Sequence, residues 1–114
     1  MHDIEVQQVF VNLVSNSADA IQLLNEKWIQ IQAQIENEFV IIKFCDSGTG
    51  IDKQVGEKLF LPFFTTKEVG QGTGLGLSIC KGIIEDHGGK IELLENTKNT
   101  TFQIQLPVAP PANS

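Results

Sequence analysis

Apolar residues recur at helical spacing early in the chain, alternate through its middle, and return to helical spacing before a last alternating run. Val6, Phe10, Leu13, Val14, Ala18 and Ile21 form one stripe and predict a helix over Ile4–Leu24, with Asp3 as its N-cap. From Trp28 to Ile35 the pattern switches to period two, with Gln30, Gln32 and Gln34 opposite Ile29, Ile31, Ala33 and Ile35. That alternation predicts a half-buried strand. Glu36-Asn37-Glu38 reads as a turn, and Phe39–Cys45 as a second, more buried strand completing an antiparallel hairpin. Asp52–Leu59 reads as a short helix capped by Asp52. Leu75, Ile79, Ile83 and Ile84 mark a second long helix, which His87-Gly88-Gly89 ends with a glycine stop. His87 there reads as a capping or packing residue. Lys90–Leu94 and Thr100–Leu106 are the remaining strands, the latter with Phe102, Ile104 and Leu106 on one face. The elements predict an α+β fold: a two-layer α/β sandwich with a mixed, mostly antiparallel sheet and helices packed on one face.

Composition narrows the class. A chain of 114 residues suffices for one domain with one core, placed at residues 1–107, and residues 108–114 read as a flexible tail. No apolar run approaches the roughly 20 residues of a membrane span, and no signal-peptide pattern is present. The expectation is a cytoplasmic segment without membrane contact. Cys45 and Cys80 lack metal-type spacing, lie in apolar patterns and read as buried free thiols, which fits a reducing compartment. A net charge of −6 argues against nucleic acid, whose binding rests on Lys and Arg against the phosphate backbone. A small polyanion stays open, provided backbone N–H groups, a few lysines and a metal ion hold it.

Three stretches carry candidate chemistry. Gly70, Gly72, Gly74 and Gly76 alternate with other residues and run directly into the second long helix. A helix that opens on such a loop aims unpaired N–H groups and its positive dipole end at one spot, a geometry that suits phosphate. The competing reading is a flexible linker. The stretch lacks the Gly-x-x-x-x-Gly-Lys-Ser/Thr of a P-loop, and it follows no strand of a βαβ unit. In the first helix, Asn12, Asn16 and Asp19 share a polar face. That face is either solvated or a cation or ligand site, since an amide oxygen coordinates Mg²⁺ without adding charge. Asp46-Ser47-Gly48-Thr49-Gly50 closes the second strand. It is either an Asx-turn or a recognition loop in which a buried carboxylate accepts from an exocyclic amine. Phe60 and Phe63 read as core, and Lys67 precedes a segment, Glu68–Thr73, with the composition of a mobile lid.

In this order, the segments resemble the ATP-binding catalytic domain of sensor histidine kinases, the GHKL-type nucleotide fold, from about Gln8 to Pro107. Asn12 to Ala20 is similar to the family's N box, Asp46 to Gly50 to its first glycine box, Phe60 to Lys67 to its F box, and Gly72 to Leu77 to its second glycine box. The resemblance implies ATP and Mg²⁺ as ligands. It implies Asn16 as the metal ligand, Asn12 near the phosphates, and Lys67 as a phosphate contact. Asp46 would accept from the adenine amine, with Gly48, Gly50 and Phe64 around the base. Gly72, Thr73, Gly74, Leu75, Gly76 and Leu77 would hold the phosphates, and Thr100, or else Thr101, would close the base pocket. Members carry further strands before the N box, so the chain resembles an N-terminally truncated domain. Asn99 stands where the family has glycine. The implied activity is transfer of the γ-phosphate to a histidine on a separate dimerisation domain, upstream of a response regulator. The alternatives are an ATP-hydrolysing switch of the same fold and a catalytically silent nucleotide-binding module. The former carries glutamate where this chain has Asn12.

Overall fold

The computed structural model describes residues 3–51, 53–56, 58–61, 76–95 and 97–108. Its elements run α1 (Asp3–Ile21), β1 (Ile29–Glu36), β2 (Phe39–Asp46), α2 (Lys53–Gly56), α3 (Gly76–Asp86), β3 (Lys90–Leu93) and β4 (Thr101–Pro107). The four strands form one sheet in the order β1-β2-β4-β3, with antiparallel pairing at every described step. The α+β class and the helix-on-sheet layering agree with the sequence pattern.

Register explains the core. Phe44 of β2 lies opposite Phe102 of β4, which lies opposite Leu93 of β3, and the next layer pairs Ile42, Ile104 and Ile91. Two residues separate the layers, so both rows project to the same face. Val9 and Leu13 of α1 and Cys80 and Ile84 of α3 cover these rows, and the set is buried apart from half-buried Leu93. Each such large apolar side chain contributes about 1.5–3 kcal/mol. Phe10 meets Phe44 at a 5.4 Å centroid distance, and Phe60 meets Phe102 edge-on at 6.2 Å. The opposite face carries a polar cross-strand row of Gln32, Lys43, Gln103 and Glu92, next to the buried Ile41.

Several boundaries and faces depart from the sequence reading. Helix α1 already includes Asp3 and stops at Ile21, where Leu24 N–H donates to the Ile21 carbonyl in a turn. Helix α2 is a single turn, shorter than expected, and Asp52, its expected cap, lies outside the described residues. On α3 the buried positions are Cys80 and Ile84, whereas Ile79 is 48% exposed. The larger difference is β1. Its isoleucines occupy the helix side of the sheet, opposite Phe44 and Val40, yet Ile31 is 54% and Ile35 68% exposed. The alternation is real, but α1 meets the start of the strand, where Ala18 and Ile21 line one pocket with half-buried Ile29, while Ile31 and Ile35 further along stay largely exposed. The tail expected to be flexible is described only at Val108.

The exit from α3 is built from local hydrogen bonds. His87 N–H reaches the Ile83 carbonyl, Gly89 N–H reaches that of Ile84, and His87 Nδ1 lies 2.7 Å from the Ile83 carbonyl oxygen. Gly89 passes so close to β4 that an added Cβ would stand 2.0 Å from the Gln105 carbonyl oxygen. Only glycine fits there, so the stop that ends α3 also delivers the chain into β3.

Candidate functional site

Asp46 ends β2 in the interior, 2% exposed. A carboxylate this deep requires donors. One is its own loop: Gly48 N–H donates to Asp46 Oδ1 at 2.7 Å, the Asx-turn chemistry of the sequence reading. This bond engages Oδ1. The Gly48 position is tight, since an added Cβ would stand 2.8 Å from Asp46 Oδ1 and 3.0 Å from Thr100 Oγ1. Gly50 takes φ +102°, a region L-residues rarely enter.

The loop is pinned on two sides. Toward β1, Ser47 N–H donates to the Trp28 carbonyl and Trp28 N–H donates to Ser47 Oγ. Toward β4, Asp46 N–H donates to the Thr100 carbonyl, Thr100 N–H to the Gly48 carbonyl at 3.1 Å, and Gly50 N–H to Thr100 Oγ1 at 3.1 Å. Thr100 thus joins Asp46, Gly48 and Gly50 in one cluster. The hydroxyl of Thr101 instead reaches Cys45 Sγ and the Asn99 carbonyl, on the other side of the strand. A cleft of about 550 Å³ opens beside Gly50, between Ile51, Phe60, Lys81 and Leu93; Asp46 and Thr100 are not in its lining.

The second part of the site lies where α1 meets α3. Asn12 is half-buried, and its amide is held at both ends: Gln8 Nε2 donates to Oδ1 at 3.0 Å, and Nδ2 donates to Cys80 Sγ at 3.6 Å. Cys80 is one turn from the α3 N-terminus at Gly76. Asn12 therefore stands beside the helix end that the glycine loop opens. Asn16, one turn further along α1, is also half-buried, while Asp19 of the same polar face is exposed. Burial pushes the Cys80 thiol above its ordinary value, against the smaller opposing effect of the Asn12 hydrogen bond. Gly76 and Leu77 begin α3 and are half-buried. Phe64, Lys67, Gly72, Thr73, Gly74 and Leu75, with the lid segment, lie outside the described residues.

Among the described residues no cluster of three or more His, Cys, Asp or Glu side chains forms a metal cage. The Asn16 amide oxygen is of a donor type that coordinates Mg²⁺. Sequence reasoning overlooked Gln8 and Cys80, which hold Asn12, and the side chain of Asn99, which donates to the Gly48 carbonyl at 3.0 Å. Only the replaced glycine at Asn99 was a visible signal.

A sequence profile described as histidine kinase-, DNA gyrase B-, and HSP90-like ATPase matches residues 1–110. The chain is 43% identical over 117 residues to sensor kinase CckA of Brucella abortus, a match covering 90% of this chain and 12% of that protein. The catalytic domain of histidine kinase ThkA, in a nucleotide-free form, superposes with TM-score 0.78 at 41% identity, covering 91% of this chain and 66% of that one. ThkA in complex with response regulator protein TrrA superposes with TM-score 0.72 at 36% identity, covering 92% and 29% of the respective chains. The chain thus spans about an eighth of that curated relative and about two thirds of the solved ThkA domain.

Proposed function

We propose that this chain, which belongs to the histidine kinase-, DNA gyrase B-, and HSP90-like ATPase family, binds Mg·ATP and presents the γ-phosphate to a histidine on a separate dimerisation domain in two-component signalling. The observation that carries this reading is the buried Asp46, whose Oδ1 is tied to Gly48 N–H; its other oxygen would accept from a donor on the ligand. The adenine amine is such a donor. Gly48 and Gly50 leave room for the flat base, Phe64 adds an apolar wall, and Thr100 closes the pocket from β4. Gly72, Thr73, Gly74, Leu75, Gly76 and Leu77 supply main-chain N–H groups to the phosphates at the positive end of α3. Lys67 adds a point charge, and Asn12, clamped by Gln8 and Cys80, sits beside that end.

Asn16 would hold the Mg²⁺, which when bound neutralises charge across the phosphates. The remaining work is positioning. A ring nitrogen of the acceptor histidine forms the new bond to phosphorus, the bond to the β–γ bridging oxygen breaks, and ADP leaves with that electron pair. A response regulator would receive the phosphoryl group afterwards, in line with the ThkA–TrrA complex.

Asn12 favours this reading over an ATP-hydrolysing switch. The switch needs a proton acceptor for water, and an amide does not serve near neutral pH. Calorimetry with ATP and Mg²⁺, followed by turnover with and without a histidine-bearing helical domain, tests the assignment. Binding with negligible hydrolysis until the acceptor is added is expected. Rapid hydrolysis without an acceptor would overturn it.

A further inference from the structure

The chain from Thr97 to Thr101 looks like an ordinary polar turn between β3 and β4, and Asn99 looks like turn chemistry within it. The contacts say otherwise. Asn99 Nδ2 reaches across 51 positions of sequence to the Gly48 carbonyl, 3.0 Å away. That carbonyl also accepts Thr100 N–H at 3.1 Å, so both of its lone pairs are engaged. Asn99 is itself anchored, because its carbonyl accepts Thr97 Oγ1–H at 2.7 Å and Thr101 Oγ1–H at 3.0 Å. Among the described residues Asn37 is the non-glycine with positive φ, so Asn99 fills its position without left-handed backbone.

We propose that Asn99 is a positioning residue for base recognition, holding the Gly48–Thr49 peptide so that the loop aims Asp46 at the exocyclic amine of the nucleotide. The inference rests on the proposed adenine site and concerns how that site is held. Glycines at 48 and 50 free the backbone around this peptide, and one hydrogen bond from Thr100 leaves its plane able to rotate. The second, from Asn99, restricts it. The same peptide leads into Gly50 N–H, which is held by Thr100 Oγ1, while Gly48 N–H fixes Asp46 Oδ1. A rotation there disturbs the carboxylate and the pocket wall together.

Asn99→Ala removes the donor. Asn99→Asp keeps the shape but turns an acceptor toward the Gly48 carbonyl. The probes are ATP and inosine triphosphate, whose base carries a carbonyl in place of the amine. For Asn99→Ala in the full chain, ATP binding should weaken by roughly fivefold, the equivalent of one ordinary hydrogen bond, with inosine triphosphate binding nearly unchanged. Asn99→Asp should lose at least as much preference for ATP, whereas a space-filling role would be preserved by that isosteric change. If the unaltered chain prefers ATP and both variants keep the same preference, or lose both nucleotides equally, Asn99 has no such role. If the unaltered chain binds the two nucleotides equally, the amine-reading site itself fails and the inference with it.

Discussion

Asp46 concentrates the chemistry of the site in one side chain. Asp46→Asn retains an oxygen to accept Gly48 N–H and so preserves the turn. In the proposed site it would replace the other oxygen with an NH₂ group facing the adenine amine, donor to donor. Losing a hydrogen bond to a charged group corresponds to about 1.5–3 kcal/mol, so calorimetry should show ATP affinity lower by roughly 10- to 100-fold at nearly unchanged thermal midpoint. A fall in midpoint without loss of affinity would make Asp46 structural. Cys80 allows a second prediction at this scale. Its thiol value is raised by burial, so the proton is held more tightly in the folded chain than in the unfolded one. The resulting stability is present below the ordinary thiol range and is lost as pH rises through the raised value. Denaturant midpoints should decline over that alkaline range, and under native conditions iodoacetamide should label half-buried Cys45 before buried Cys80.

Helix α3 carries two tasks, presenting its N-terminus and roofing the sheet. Its spacing of apolar residues placed the helix, and the expected burial of Cys80 holds, but the stripe also included Ile79, which is exposed. Four candidate positions crowd a stripe that fits only part of them, and which part is set by where α1 and the β3–β4 rows lie. Ile84→Ala should therefore cost about 2–5 kcal/mol in urea unfolding, since Ile84 is fully buried. Ile79→Ala should stay within about 0.5 kcal/mol. The reverse order would mean that α3 is rotated from the orientation described.

Across the whole molecule, the sheet runs from a well-covered centre to a sparsely covered strand. Ile31 and Ile35 of β1 lie largely exposed on the helix side, on the strand that ends the sheet among the described residues. Such an edge favours association between chains. Replacing both isoleucines with threonine should change the unfolding free energy by no more than about 1 kcal/mol and reduce self-association in light scattering at high protein concentration. A large loss of stability would show that these side chains are buried in the folded state.

The sequence alone determined the element types, the hairpin, the glycine stop after α3 and the identity of the motif residues. Each depends on neighbours within a few positions, where backbone preference and side-chain spacing act directly. Tertiary structure decided which apolar face is covered, why Thr100 rather than Thr101 joins Asp46, and that Gln8 and Cys80 hold Asn12 while Asn99 holds Gly48. These contacts join residues up to 68 positions apart. No local period encodes such pairings, because they exist only once the sheet register and the seating of both helices bring the partners within hydrogen-bond reach.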